Sequence, residues 1–191
     1  MSKFELLVLM LVFGLAGCAR SARSDGNAFA GTACGERQVV NYAQSDDSQL
    51  ERPPGMWSAD DELLSSYRWE LQGAVSRSGR RIDALFVFPK RPLELTFKKG
   101  WFGVLNSCNG IGGSYRILNG RLAIGIMTST LSACHEPKIA NLDEEIRDRL
   151  SDQPCVQLQR NAQPRLRLMT DAGDILDFFG TTAVETNGAH P

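Results

Sequence analysis

Histidine is almost missing from this chain: His135 and His190 are the two among 191 residues. None of the Cys and His spacings that mark zinc sites is present either. A metal centre would have to be assembled from Cys108, Cys134 and His135, and none is expected there. A surplus of charge is also missing. Lys and Arg total 21 against 22 Asp and Glu, a formal net charge of −1. That balance excludes the basic stripe expected of a nucleic-acid partner. No GxSxG, HExxH, phosphate-loop or EF-hand pattern occurs, so the common routes to hydrolase, nucleotide or calcium chemistry have no starting point. No cofactor is implied, and no apolar run reaches the 18 residues expected of a membrane-spanning helix.

What is present begins at the N-terminus. Lys3 precedes the unbroken apolar run Leu6 to Phe13, which leads into Gly14-Leu15-Ala16-Gly17-Cys18. A charged start, a short apolar stretch and small residues before a cut describe a signal peptide. The ending Leu15-Ala16-Gly17-Cys18 resembles the lipobox of lipoprotein precursors. The resemblance implies cleavage before Cys18 and acylation (palmitate among the chains) of its thiol and new amino group. The competing reading is an ordinary signal peptide cut near Ala19 or Ala22. One acyl chain binds a membrane marginally, whereas two or more hold a protein there. Ala19 follows the cysteine where an Asp would mark inner-membrane retention. The expected location is therefore the periplasmic face of the outer membrane.

With Cys18 committed to lipid, Cys34, Cys108, Cys134 and Cys155 remain, an even number for an oxidising compartment. Four cysteines allow three pairings. Cys108–Cys134 with Cys34–Cys155 is favoured, because Cys108 and Cys134 share one compact segment.

Four regions follow: a signal peptide over 1–17, a lipidated tether and irregular extension over 18–62, a folded domain over 63–182, and a disordered tail over 183–191. Arg20 to Thr32 is polar and reads as a leash. Val39-Val40 is a possible short strand, and Pro53-Pro54-Gly55 breaks structure. Beyond Leu63 the pattern alternates at Tyr67 to Leu71, Leu93 to Phe97, Val156 to Leu158, Leu166 to Leu168 and Ile175 to Phe179, as half-buried strands do. Ala84 to Phe88 is apolar throughout and ends at Pro89. Asn119-Gly120 lies between Ser114–Leu118 and Arg121–Ile124, a strong hairpin signal. Ile139, Leu142, Ile146 and Leu150 line one face of an amphipathic helix bounded by Pro137 and Pro154. Strands, one main helix, then strands predict an α+β domain whose mostly antiparallel sheet curves into an open barrel. Trp69, Trp101, Phe86, Phe88, Phe97, Phe102, Phe178 and Phe179 are assigned to its core.

Ser107-Cys108-Asn109-Gly110-Ile111-Gly112-Gly113-Ser114-Tyr115 and Met127 to Cys134, preceded by Trp69-Glu70-Leu71, resemble the META domain, the family of the heat-shock protein HslJ and of many bacterial lipoproteins. The likeness runs from about Tyr67 to Thr181, with a longer loop over 79–92. Trp69, Leu71, Cys108, Asn109, Gly113, Tyr115, Thr130 and Cys134 carry the motif. The resemblance implies an exported or membrane-associated domain linked to stress or antibiotic tolerance, without an established catalytic activity. Its likeness to secretion pilot lipoproteins implies a protein or lipid partner.

Three function classes result. The first is a non-catalytic envelope lipoprotein that binds an envelope protein or a lipid. The second is an inhibitor of a lysozyme-like enzyme. The third is an enzyme with Cys108 as nucleophile and His135 as base, which needs a reduced, low-pKa thiol that an oxidising compartment disfavours. Asn109-Gly110 is expected to form a turn, and the Thr130 and Ser132 hydroxyls to bond local backbone. The acidic runs Asp60-Asp61-Glu62 and Asp143-Glu144-Glu145 are expected to be solvated charge.

Overall fold

The computed structural model describes residues 34, 59–98, 100–134 and 136–182. The expectations placed on the signal peptide, Cys18, the leash, Val39-Val40, His135 and the tail lie outside those residues.

Among the described residues, eight antiparallel strands and two α-helices follow one another. Helix α1 (Ala59–Ser65) leads into β1 (Tyr67–Val75), β2 (Glu94–Lys98), β3 (Trp101–Leu105), β4 (Ile111–Leu118) and β5 (Arg121–Ser129). Helix α2 (Pro137–Ser151) comes next, then β6 (Cys155–Gln159), β7 (Arg165–Met169) and β8 (Ile175–Thr182). Each strand pairs with the next in sequence, and β8 returns to β1, so the curved sheet comes round as a ring. The antiparallel order follows from short connections, among them the two-residue turn Asn119-Gly120. Both residues hold positive φ, 52° and 74°, between the paired Leu118 and Arg121. This is the two-residue turn whose twist matches that of the flanking strands.

The ring is uneven. Strands β1 and β8 pair over eight positions, whereas β5 and β6 share the single pair Arg121↔Cys155. The opening of the expected barrel is thus reduced to this seam, and α2 is the connection that crosses it. Leu142, Ile146 and Leu150 are buried from α2, while Ile139 near its first turn is only partly so.

The inside of the ring is filled by side chains. Trp69, Phe102 and Phe178 have no exposed surface, and Leu95, Val104 and Leu166 join them. Tyr115 meets Phe97 edge to face, with ring centres 5.0 Å apart. The alternation read from sequence explains this, since every second residue of β2, β3 and β7 points inward. The indole N–H of Trp69 donates to the Leu64 carbonyl at 2.9 Å, fixing α1 against one end of the ring.

Within the longer loop over 79–92, Asp83–Leu85 is a 3₁₀ turn, and Leu85 is buried with α2 packed on the turn. An apolar run without alternation serves equally as a plug, and here Phe86, Val87 and Phe88 pack partly buried against the core. The triplet Asp60-Asp61-Glu62 opens α1 rather than lying on a tether, and Asp61 is buried. Acidic side chains suit the positive end of a helix. Trp101 and Phe179 do not join the core: Trp101 faces outward with about half of its surface exposed, and Phe179, next to the inward Phe178, lies half-buried under Arg165.

Replacing Ile146 by Ala is expected to cost about 2–5 kcal/mol, the range for a buried branched aliphatic. Ile139→Ala should cost well under half of that. Urea unfolding of the two variants checks it, and equal losses would contradict the placement of α2.

Candidate functional site

The motif residues converge where the loop between β3 and β4 meets α2 and the segment following β5. Asn106, at φ 63°, reverses the chain as it leaves β3. Its amide donates to the Pro92 carbonyl at 2.8 Å and to Glu94 at 2.9 Å, which fixes the start of the loop. Cys108 is disulfide-bonded to Cys134, their Cα atoms 6.0 Å apart. Cys34 is disulfide-bonded to Cys155 at the first residue of β6. Both pairs match the favoured connectivity.

Asn109 is the hub of this region. Its side-chain oxygen accepts the Ser132 backbone N–H at 2.7 Å and the Thr130 hydroxyl at 3.1 Å. Its side-chain nitrogen donates to Asp143 Oδ2 at 2.9 Å. The same carboxylate accepts the backbone N–H of Cys108 at 3.0 Å and that of Asn109 at 3.1 Å. Thr130 answers in both directions, since its hydroxyl accepts the Gly110 N–H at 3.1 Å and its backbone N–H donates to the Gly110 carbonyl at 3.1 Å. A carboxylate that accepts several N–H bonds makes strong, charge-assisted contacts. One asparagine thereby ties three chain segments together.

The other motif positions act in packing. Trp69, Leu71 and Tyr115 are buried in the core. Gly113 lies so close to β5 that a Cβ would stand 2.7 Å from the Ile126 carbonyl oxygen, so no larger residue fits without backbone movement.

Beside this knot lies a groove of about 530 Å³ lined by Asn109, Thr130, Ser132, Asp143, Glu144 and Arg147. Arg147 reaches the Ser129 hydroxyl at 3.3 Å. The floor is rigid because its polar atoms already bond to one another. Cys108, Cys134 and Asp143 offer atoms within 4.8 Å of one another, the spacing of a metal site. The two sulfurs are bonded to each other, however, and a metal or a nucleophilic step would need a thiolate. His135, which both the metal and the catalytic readings require, lies outside the described residues.

Asp143 is the functional side chain that sequence reasoning misjudged. Set among Glu144, Glu145 and Asp148 it reads as solvent charge, yet it is half-buried against the 108–109 turn. A signal was available: it follows Leu142 and precedes Ile146 by three, at the border of the apolar stripe. Which backbone it would meet depended on a loop more than thirty residues away.

Asn109→Asp should set two carboxylates against each other, and Asp143→Asn should replace an acceptor oxygen by a donor. Each is expected to lose about 1–3 kcal/mol. The double exchange Asn109→Asp/Asp143→Asn restores complementary partners and should recover much of the loss; strict additivity in urea titrations would refute the contact. Removing the two disulfides by paired Cys→Ser exchange should be unequal. Their closed segments of 121 and 26 residues correspond to about 5 and 3.5 kcal/mol in the chain-entropy account. Non-reducing peptide mapping checks the pairing itself.

The family model of the META domain matches residues 62–183. Among solved structures, the NMR structure of a protein from Burkholderia xenovorans is similar at 22% identity and a TM-score of 0.56, covering 69% of this chain and 98% of its own. A DUF4847-family protein from Bacteroides vulgatus is matched at 15% identity and a TM-score of 0.46, covering 65% of this chain and 99% of its own. No curated protein matches the chain. The first of these likenesses bears on the fold alone, whereas the family match spans the whole ring and every residue of the Asn109 knot: the chain belongs to the META domain family.

Proposed function

We propose that this protein is an exported lipoprotein, cut before Cys18 and acylated there, whose META domain is a non-catalytic binding module. It works at the periplasmic face of the outer membrane, with an envelope protein or lipid as partner and a role in stress or antibiotic tolerance. The observation that carries the reading is the use of cysteine. Once Cys18 is set aside, the remaining four pair completely, Cys34 with Cys155 and Cys108 with Cys134. Such pairing suits an oxidising compartment, the destination that the N-terminal Leu15-Ala16-Gly17-Cys18 implies.

The motif supports a module that binds rather than reacts. The polar atoms of Asn109, Thr130 and Asp143 are engaged with one another and with backbone, and the Cys108 sulfur is in a disulfide. Those residues hold a shape. The ring itself is filled by Trp69, Phe102 and Phe178, which turns attention from an internal lipid cavity to the outer surface.

Palmitate labelling tests the anchor: the wild-type chain should incorporate label and fractionate with outer membranes, and Cys18→Ala should abolish both. Unlabelled wild type would sink the lipoprotein reading. Pull-down from crosslinked envelopes is expected to recover a specific partner. Loss of stress tolerance in a deletion strain, restored by wild type but not by Cys18→Ala, would tie the role to the anchor.

A further inference from the structure

Four large hydrophobic side chains among the described residues are exposed, and they lie together. Trp101 (51% exposed) and Leu105 (36%) belong to β3, Ile126 (78%) to β5, and Leu131 (99%) to the segment just beyond β5. The register joins them into one surface. Trp101 lies opposite Ser114, Gly103 opposite Gly112, and Gly112 opposite Thr128. The outer face of β3, the first half of β4 and the far half of β5 therefore carries Trp101, Gly103, Leu105, Gly112, Ser114, Ile126 and Thr128, none of them charged. The Trp101 indole lies across Gly112, where a Cβ would stand 3.1 Å from its Nε1.

The rest of the ring is covered differently. Arg167 on β7 pairs with Asp177 on β8 at 2.7 Å, and Arg68 on β1 with Glu94 on β2 at 2.7 Å. In a chain that is 23% charged, an uncharged face across three adjacent strands is a surface made for contact, as an exposed apolar patch with a polar surround generally is.

We propose that this face docks on the phospholipid surface of the membrane to which Cys18 is anchored; the inference rests on the lipoprotein reading above. Three features select lipid over a protein partner or a second copy. The first is side-chain type, because a tryptophan and protruding aliphatics suit the headgroup and acyl boundary. The second is charge: Lys98 is paired with Trp101 at the hairpin end, and Arg116 lies two residues beyond Ser114 on β4, so cations border the Trp101 end of the face where lipid phosphates would lie, while Glu94, opposite Leu105 at the other end, is neutralised by Arg68. The third is the point of attachment. Cys34 is held to Cys155, and its Sγ lies 3.6 Å from the Gly120 carbonyl oxygen, placing it at the β4–β5 turn, toward the Trp101 end of the same face. Fifteen residues lie between Cys18 and Cys34, which keeps Cys34 within about 55 Å of the lipid whatever their conformation. Tethering at that range lets a weak surface contact be occupied.

The test uses the acylated protein in phosphatidylethanolamine and phosphatidylglycerol vesicles with brominated acyl chains, which quench tryptophan on contact. In a Trp57→Phe background, which leaves Trp69 and Trp101, strong quenching is expected, lost for the most part when Trp101→Phe is added because Trp69 is buried. The pair Ile126→Ser/Leu131→Ser, at exposed positions, should keep the wild-type melting curve and reduce quenching several-fold. Absence of quenching in protein whose acylation is confirmed by mass, or quenching unchanged by the serine pair, overturns the proposal. A dimer in sedimentation that the serine pair disperses, without quenching, would assign the face to self-association and also overturn it. If the mass shows no acyl chain, the anchor reading has failed; flotation of the unacylated chain with the same vesicles then decides docking. Flotation that the serine pair abolishes supports it, and none in wild type overturns it.

Discussion

Between β5 and β6 the ring has a single residue pair, Arg121↔Cys155, and the rest of the molecule is arranged around that shortage. An antiparallel ring gains its cohesion from continuous ladders, and a seam of one pair leaves backbone groups and the core behind them open to water. Helix α2 crosses the gap with Leu142, Ile146 and Leu150 turned inward. Its other contacts hold it there. Arg149 bonds Asp174 at 3.0 Å in the β7–β8 turn, and Asp143 takes the N–H groups of the β3–β4 loop. Arg121 reaches Asp171 at 2.9 Å across the same seam, and the Cys34–Cys155 bond is attached at its edge.

Seen from the seam, the family motif has a mechanical meaning. Cys108, Asn109, Thr130 and Cys134 bind the loop before β4 to the segment after β5, and Asp143 binds both to the helix. The disulfide limits how far the two segments can separate, while Asn109 sets how they face each other. A hydrogen-bonded hub of this kind is costly to disturb, because removing one partner leaves several groups unsatisfied. It rigidifies the groove along α2 and, through Gly110 and Gly113, the first half of β4.

Rigid scaffolding on one side leaves the opposite property, an adhesive face, on β3 to β5. There the barrel departs from the usual division of apolar inside and charged outside. Trp101 and Ile126 occupy outward positions in strands whose inward positions are already filled by Phe102, Val104 and Ile124. Their exposure is thus a matter of strand phase, and it places the molecule's stickiest surface beside the point where its N-terminal segment is attached.

Much of this was legible from the chain. Alternation located five of the eight strands, Asn119-Gly120 gave the β4–β5 hairpin, the 3.6-residue period gave α2, and cysteine arithmetic gave both disulfides. These signals are local, arising from side-chain period, turn stereochemistry and the pairing of an even number of thiols. Phase was the first thing the sequence left open: an aromatic on a strand may face either way, and Trp101 was assigned to the core until its register with Ser114 turned it outward. Apolar runs without alternation were the second, since Ala84 to Phe88 has no period to decide its structure, and it packs as a plug beneath α2. Long-range polar contacts were the third. Asp143 among acidic neighbours carries no mark of the two backbone N–H groups it meets, because they come from a loop that only the closed ring brings to the helix.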